Sequence, residues 1–184
     1  MIDFDTYIFD FDGVVVDSER FHWLSYETDV SFEKYCEINH GLEGPYFRDT
    51  MDASKKDENF IGYIKDIPLK KGFKEFYDEL VRRGKKVFIV TNTSRKIYDL
   101  FSEKFPFLKD IPVVTDCKKP DPSGYASVPC SGRTIVFEDS YRGFYAARQV
   151  FTHVVLVNSL DYVYRPMCFI ETFSELLHHP EVCL

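Results

Sequence analysis

Cysteine is scarce and scattered in this 184-residue chain: Cys36, Cys117, Cys130, Cys168 and Cys183, with no C-x-x-C pair. An odd, dispersed set fits neither a disulfide framework nor a zinc site, so a reducing, cytoplasmic setting is expected. A basic excess is also lacking. The formal net charge of -7 and pI near 5.3 argue against a general nucleic-acid-binding or membrane-surface role. The local exception, LKKGFKEFYDELVRRGKK, has seven basic and three acidic residues and reads as a solvated helix face with its flanks. No apolar run approaches the roughly 18 residues that span a bilayer. The opening MIDFDTYIFDF has neither the basic region nor the long apolar stretch of a secretion signal, so neither targeting nor a membrane partner is expected. Internal repeats and low-complexity tracts are absent too.

What is present is a core in waiting: 45% hydrophobic and 17% aromatic residues, enough for one domain with a small appendage. Short β-branched and aromatic runs at Tyr7–Phe11, Lys86–Val90, Ile111–Val114, Thr134–Phe137 and Thr152–Val157 predict buried strands. Helical spacing falls between them. In Gly72–Arg83 the residues Phe73, Phe76, Tyr77, Leu80 and Val81 share a face, and Gly84 supplies the stop. SRKIYDLFSEKF ends before Pro106, and Ser140 is placed to cap YRGFYAARQV. Alternation from about residue 70 onward predicts a doubly wound, Rossmann-like α/β fold with a parallel sheet of about five strands. The first strand is followed by about fifty polar, aromatic-rich residues without a second strand, longer than an ordinary connection. This predicts a core of residues 1–16 and 69–184 and a small helical insert, 17–68, over the sheet's C-terminal edge. Asp17 and Ser18 would form the hinge, Ser18 capping the first insert helix.

Four of the apolar runs end in polar clusters: FDFDG, VTNTS, KKPDP and FEDS. In a parallel sheet these ends share one edge and converge on one crevice. The converging set is Asp10, Asp12, Glu138 and Asp139, the hydroxyl of Thr91, the amide of Asn92 and the ammonium of Lys119. On an extended strand Asp10 and Asp12 would lie side by side on one face and repel, which calls for a compensating cation. Carboxylates without histidine or cysteine favour a hard ion, Mg²⁺ above others, together with a phosphate. A hydroxyl, helix-start amides and a lysine are the donors a phosphate needs. The reading is phosphoryl transfer, one aspartate attacking phosphorus and the other protonating the leaving oxygen.

In order, DFDGVVVDS, VTNTS, KPDP and FEDSYRGFYAAR resemble the four motifs of the haloacid dehalogenase superfamily of phosphatases, in the subgroup with phosphoglycolate phosphatase and β-phosphoglucomutase. That resemblance implies Asp10 as the nucleophile forming an aspartyl-phosphate and Asp12 as the general acid that later activates water. Thr91 would bond the transferring phosphoryl group, and Lys119 would neutralise charge between it and Asp10. Mg²⁺ would be held by Asp139, the Asp10 side chain and the Asp12 backbone carbonyl, with Glu138 in or beside that shell. The insert would be the helical cap. His22 matches a cap histidine concerned with substrate gating, Arg48 is a candidate for a second phosphate or carboxylate, and Asn92 for substrate binding. Two departures stand out: the insert is short for such a cap, and PDPSGYASVPCSGRTIVF is too compact for the long helix usual there. The expected activity is a Mg²⁺-dependent phosphatase on a small phosphorylated metabolite. A β-phosphoglucomutase-like mutase and a non-catalytic scaffold on the same core are the alternatives, and oligomeric state is open.

Overall fold

A computed structural model describes residues 4–40, 45–50, 52–157 and 169–178; Cys168 and Cys183 lie outside them. Among the described residues, six parallel strands form one sheet in the order β3-β2-β1-β4-β5-β6: β1 (Thr6–Phe9), β2 (Lys86–Val90), β3 (Val113–Val114), β4 (Thr134–Glu138), β5 (His153–Val157) and β6 (Phe169–Ile170). Five correspond to the apolar runs of the sequence. The sixth, two residues long, pairs with the end of β5 at Leu156 and Val157 and was not foreseen, because two residues carry no periodicity. The strand order reverses between β1 and β4, and this switch point opens the crevice.

Helices cover both faces: α4 (Phe73–Arg82), α5 (Arg95–Lys104), α6 (Ser123–Ala126), α7 (Tyr141–Arg148) and α8 (Phe173–His178). β1 and β4 are buried along their whole length, as central strands covered on both sides must be. The main core is aromatic: Phe9 stacks on Phe137 at 5.0 Å, and Phe73, Phe76 and Phe173 pack around them edge-on or tilted. The amphipathic prediction for α4 holds for Phe73, Phe76, Tyr77 and Leu80. It fails for Val81, which is 53% exposed, because the covered stripe is narrower than five positions. Ser94 and Ser140 cap α5 and α7, accepting from the N–H groups of Ile97 and Gly143. As the compact sequence implied, residues 120 to 133 hold only the four-residue α6.

Among the described residues, three α-helices lie between β1 and α4, namely α1 (Glu19–Leu24), α2 (Phe32–His40) and α3 (Lys56–Tyr63), with a short 3-10 turn at Phe47–Asp49. Tyr35 and Cys36 of α2 form a small core with Phe47, against which Trp23 of α1 packs, while Phe60 of α3 joins the main core. Outgoing and returning chains run side by side, with the Asp17 N–H on the Pro68 carbonyl at 2.9 Å and Val16 bridging Leu69. Lys104 of α5 then donates to the carbonyls of Ile64, Lys65 and Ile67, satisfying the C-terminal carbonyls after α3.

Candidate active site

β1 ends at Phe9, so Asp10 and Asp12 do not share a strand face as expected. The chain turns tightly instead: the N–H groups of Val15 and Val16 both reach the Phe11 carbonyl, and Gly13 sits at φ 72°. This turn sends the two carboxylates to different partners, which removes the repulsion the extended strand would have imposed.

Asp10 faces Lys119. The buried lysine Nζ donates to Asp10 Oδ1 at 2.6 Å, Glu138 Oε1 at 2.6 Å and the Val90 carbonyl at 2.8 Å. Burial disfavours its charge, yet the carboxylates of Asp10 and Glu138 hold the ammonium protonated well above its ordinary range. Burial and the charges of Glu138 and Asp139 push the Asp10 carboxyl up, while Lys119 opposes them. Glu138 is fully buried and also accepts from the Tyr125 hydroxyl. Its Oε2 is buried without a hydrogen-bond partner among the described residues.

Asp12 sits in the opposite electrostatic situation. Its carboxylate accepts from Ser18 Oγ at 2.6 Å and from Thr93 Oγ1, and it pairs with His22 Nε2 at 2.9 Å. Against the cost of burial, these three hold it ionised well below the usual carboxylate range. Ser18 begins α1 as foreseen, but with helical rather than extended backbone angles its hydroxyl makes no cap bond, and it donates to Asp12 instead. His22 is fixed in turn by stacking on Phe60 of α3 at 3.9 Å and 4°. Lys56 Nζ lies 4.8 Å from the centre of that same ring, and burial lowers its pKa.

Thr91, 1% exposed, follows β2 and accepts the Thr93 N–H on its hydroxyl. Asn92 accepts the Lys119 N–H at 3.1 Å and donates to the Tyr46 hydroxyl. It therefore braces the Lys119 loop while lining the crevice. Tyr46 also donates to the Lys119 carbonyl, and the Arg142 guanidinium lies 4.0 Å over its ring. Arg48 also lines the crevice, whose volume is about 640 Å³.

Sequence reasoning missed a second buried cluster. Glu19 of α1 pairs with His40 of α2 at 2.8 Å, and His40 Nδ1 lies 4.0 Å from Asp139 Oδ2. Burial opposes both charges, but mutual attraction lowers Glu19 to about 2 and raises His40 to about 9. Asp139 itself is pushed up to about 7, by burial first and then by Glu19 and Glu138 against the pull of His40. Glu19 had one legible signal, standing three residues before His22 on one helix face. His40, Thr93, Tyr46 and Tyr125 had none, since only folding brings them here.

Asp10, Glu138 and Asp139 turn carboxylate oxygens to within 4.8 Å of one another. Three buried acids, two with raised pKa and one with an orphaned oxygen, fit a hard divalent cation, which would relieve all three costs. Beside them stand a buried hydroxyl, a lysine and the N-terminus of α7, the donors suited to a phosphoryl group.

The sequence profile of the haloacid dehalogenase-like hydrolases matches residues 7–157, and the chain belongs to that family. Solved structures with the same fold include CbbY from Rhodobacter sphaeroides in complex with phosphate, with a TM-score of 0.71 at 19% identity over 95% of this chain and 96% of that one. A variant of CbbY in complex with xylulose-(1,5)bisphosphate gives a TM-score of 0.72 at 19% identity, with 95% and 96% covered. A candidate β-phosphoglucomutase from Thermotoga maritima gives 0.70 at 19% identity over 98% of this chain and 100% of that one. Among curated proteins, no sequence match was found. Among the described residues, no helix is long and apolar enough to cross a membrane.

Proposed function

We propose that the chain is a Mg²⁺-dependent phosphatase that hydrolyses a small phosphorylated metabolite in the cytoplasm, with residues 17–68 as its cap. The observation that carries this reading is the buried quartet of Asp10, Lys119, Glu138 and Asp139. A scaffold would have no use for so costly a cluster of charges. Bound Mg²⁺ would be held by Asp10, Asp139 and Glu138 with the Asp12 carbonyl, and would screen the negative nucleophile from its negative target.

In this scheme Asp10 attacks phosphorus and becomes an aspartyl-phosphate, while Thr91 and Lys119 bind the transferring oxygens. The leaving oxygen takes a proton from Asp12, and Asp12 then removes one from the water that cleaves the intermediate. The geometry supports the second role directly, because Ser18, Thr93 and His22 keep Asp12 a carboxylate. For the first role it must receive a proton, and His22, 2.9 Å away, is the group in contact to supply it. Arg48, among the residues lining the crevice, suits a substrate with a second anionic group, in keeping with the bisphosphate bound by CbbY.

Asp10→Asn tests the proposal. Release of phosphate from an aryl phosphate with Mg²⁺ should vanish while the fold persists; full activity would overturn it. A mutase would instead convert β-glucose 1-phosphate, primed with a bisphosphate, without freeing phosphate.

A further inference from the structure

The Glu19–His40 pair is the feature of the crevice that this scheme leaves unused. Both residues belong to the insert, and both point at the carboxylate of Asp139 on the core. That carboxylate stands between two walls. On one side a Cβ at Gly13 would fall 2.0 Å from Asp139 Oδ2, so the Gly13 backbone presses close. On the other, His40 Nδ1 lies 4.0 Å from the same oxygen, beyond hydrogen-bond distance, so it confines Oδ2 without occupying it. His40 is 6% exposed, and Glu19, at 2.8 Å on its Nε2, fixes its orientation.

Resting on the metal-dependent reading above, we propose that His40, oriented by Glu19, is a positioning residue borne on the insert that holds Asp139 in the rotamer needed for Mg²⁺. The reaction centre is thereby linked to the insert's placement: α2 must be seated for the metal site to be complete. Outer residues that orient metal ligands typically change metal affinity about 10- to 100-fold when removed. By reciprocity, a metal that prefers the seated insert must also stabilise that seating.

The test is Mg²⁺ titration by calorimetry, with amide hydrogen exchange of α2 in the absence and presence of Mg²⁺. In the wild-type protein Mg²⁺ should bind and should slow exchange across Phe32–His40. In His40→Ala the dissociation constant should rise at least about tenfold and the Mg²⁺-dependent protection of α2 should disappear. His40→Asn, which keeps a donor near the Nδ1 position, should recover part of both. Should His40→Ala fail to fold, Glu19→Gln preserves shape and should show the same two losses to a smaller degree. Wild-type affinity and wild-type protection in a folded variant would overturn the inference while leaving the phosphatase reading intact. Absence of Mg²⁺ binding to the wild-type protein would overturn both.

Discussion

Replacing Lys119 by methionine tests the electrostatics of the crevice most severely. The ammonium, 4% exposed, bonds Asp10 and Glu138 at 2.6 Å each and the Val90 carbonyl at 2.8 Å. Methionine keeps much of the side-chain volume but removes all three bonds and the positive charge. Removing one partner of a buried ion pair costs about 3–5 kcal/mol. For a chain of this size that is a loss of roughly 10 °C in melting temperature. The loss should depend on pH with a definite sign. Burial and neighbouring acids already raise Asp10, and without Lys119 nothing opposes that rise from this side. A carboxyl with a raised folded pKa costs stability as pH climbs through that value, because it must ionise or unfold. The deficit should therefore be larger at pH 8 than at pH 5, since the raised pKa of Asp10 lets it be neutralised more readily at the lower pH. Mg²⁺ should restore more stability to the variant than to the wild-type protein, since it supplies the charge that was deleted. Urea denaturation at both pH values, in EDTA and in Mg²⁺, reads each of these. A deficit under about 1 kcal/mol, or one that does not shrink at pH 5, would refute the account of Lys119 as the counter-ion of a buried acid cluster.

Two further outcomes follow from other contacts. Gly143→Ala places a Cβ within 2.2 Å of all three terminal atoms of the fully buried Glu138 carboxylate. Overpacking of this kind costs about 1–3 kcal/mol, and Mg²⁺ affinity should fall with it; unchanged melting and unchanged Mg²⁺ titration would count against the close approach. In EDTA, thermal stability should peak between about pH 4.5 and 6.5 as far as Glu19 and His40 govern it. Glu19, lowered from 4.5 to about 2, loses its contribution as pH falls through that interval. His40, raised from 6.5 to about 9, loses its contribution as pH rises through that one. The melting curve of His40→Ala should flatten on the alkaline side, and an unaltered slope there would show that His40 is not the group responsible.

The sheet was legible because apolar runs and the polar clusters that close them mark where buried strands stop, and parallel topology brings such ends to one edge. That reasoning led to Asp10, Thr91, Lys119, Glu138 and Asp139 meeting in one crevice. It misjudged the path after Asp10, where the strand has ended and Gly13, just past Asp12, permits a left-handed turn that no strand pattern contains. It placed Ser18 correctly at the start of α1 but expected a cap bond that its helical backbone angles do not make, and it did not foresee the hydroxyl on Asp12. The insert was legible only as a helical interruption. Its contributions to the crevice, His40 on Asp139 and Tyr46 on the Lys119 loop, are set by how three short helices seat on the core, and nothing in their own periodicity encodes that.

The consequence of the turn at Gly13 is chemical. Two aspartates separated by one residue would ordinarily raise each other's pKa and share one fate. Here each answers to a different set of neighbours. Asp10 is set among acids and a lysine on the core, where a cation would keep it ionised and ready to attack. Asp12 is set against a serine and histidine of the insert and a threonine of the core, and its proton is governed from that side. In the proposed mechanism Asp10, as nucleophile, must stay put while Asp12, as acid, must gain and lose a proton within each cycle. Assigning the first to the sheet and the second to the boundary with the insert separates what must be rigid from what must respond to substrate. On this division, motion of the insert would act on Asp12 through Ser18 and His22 and on Asp139 through His40.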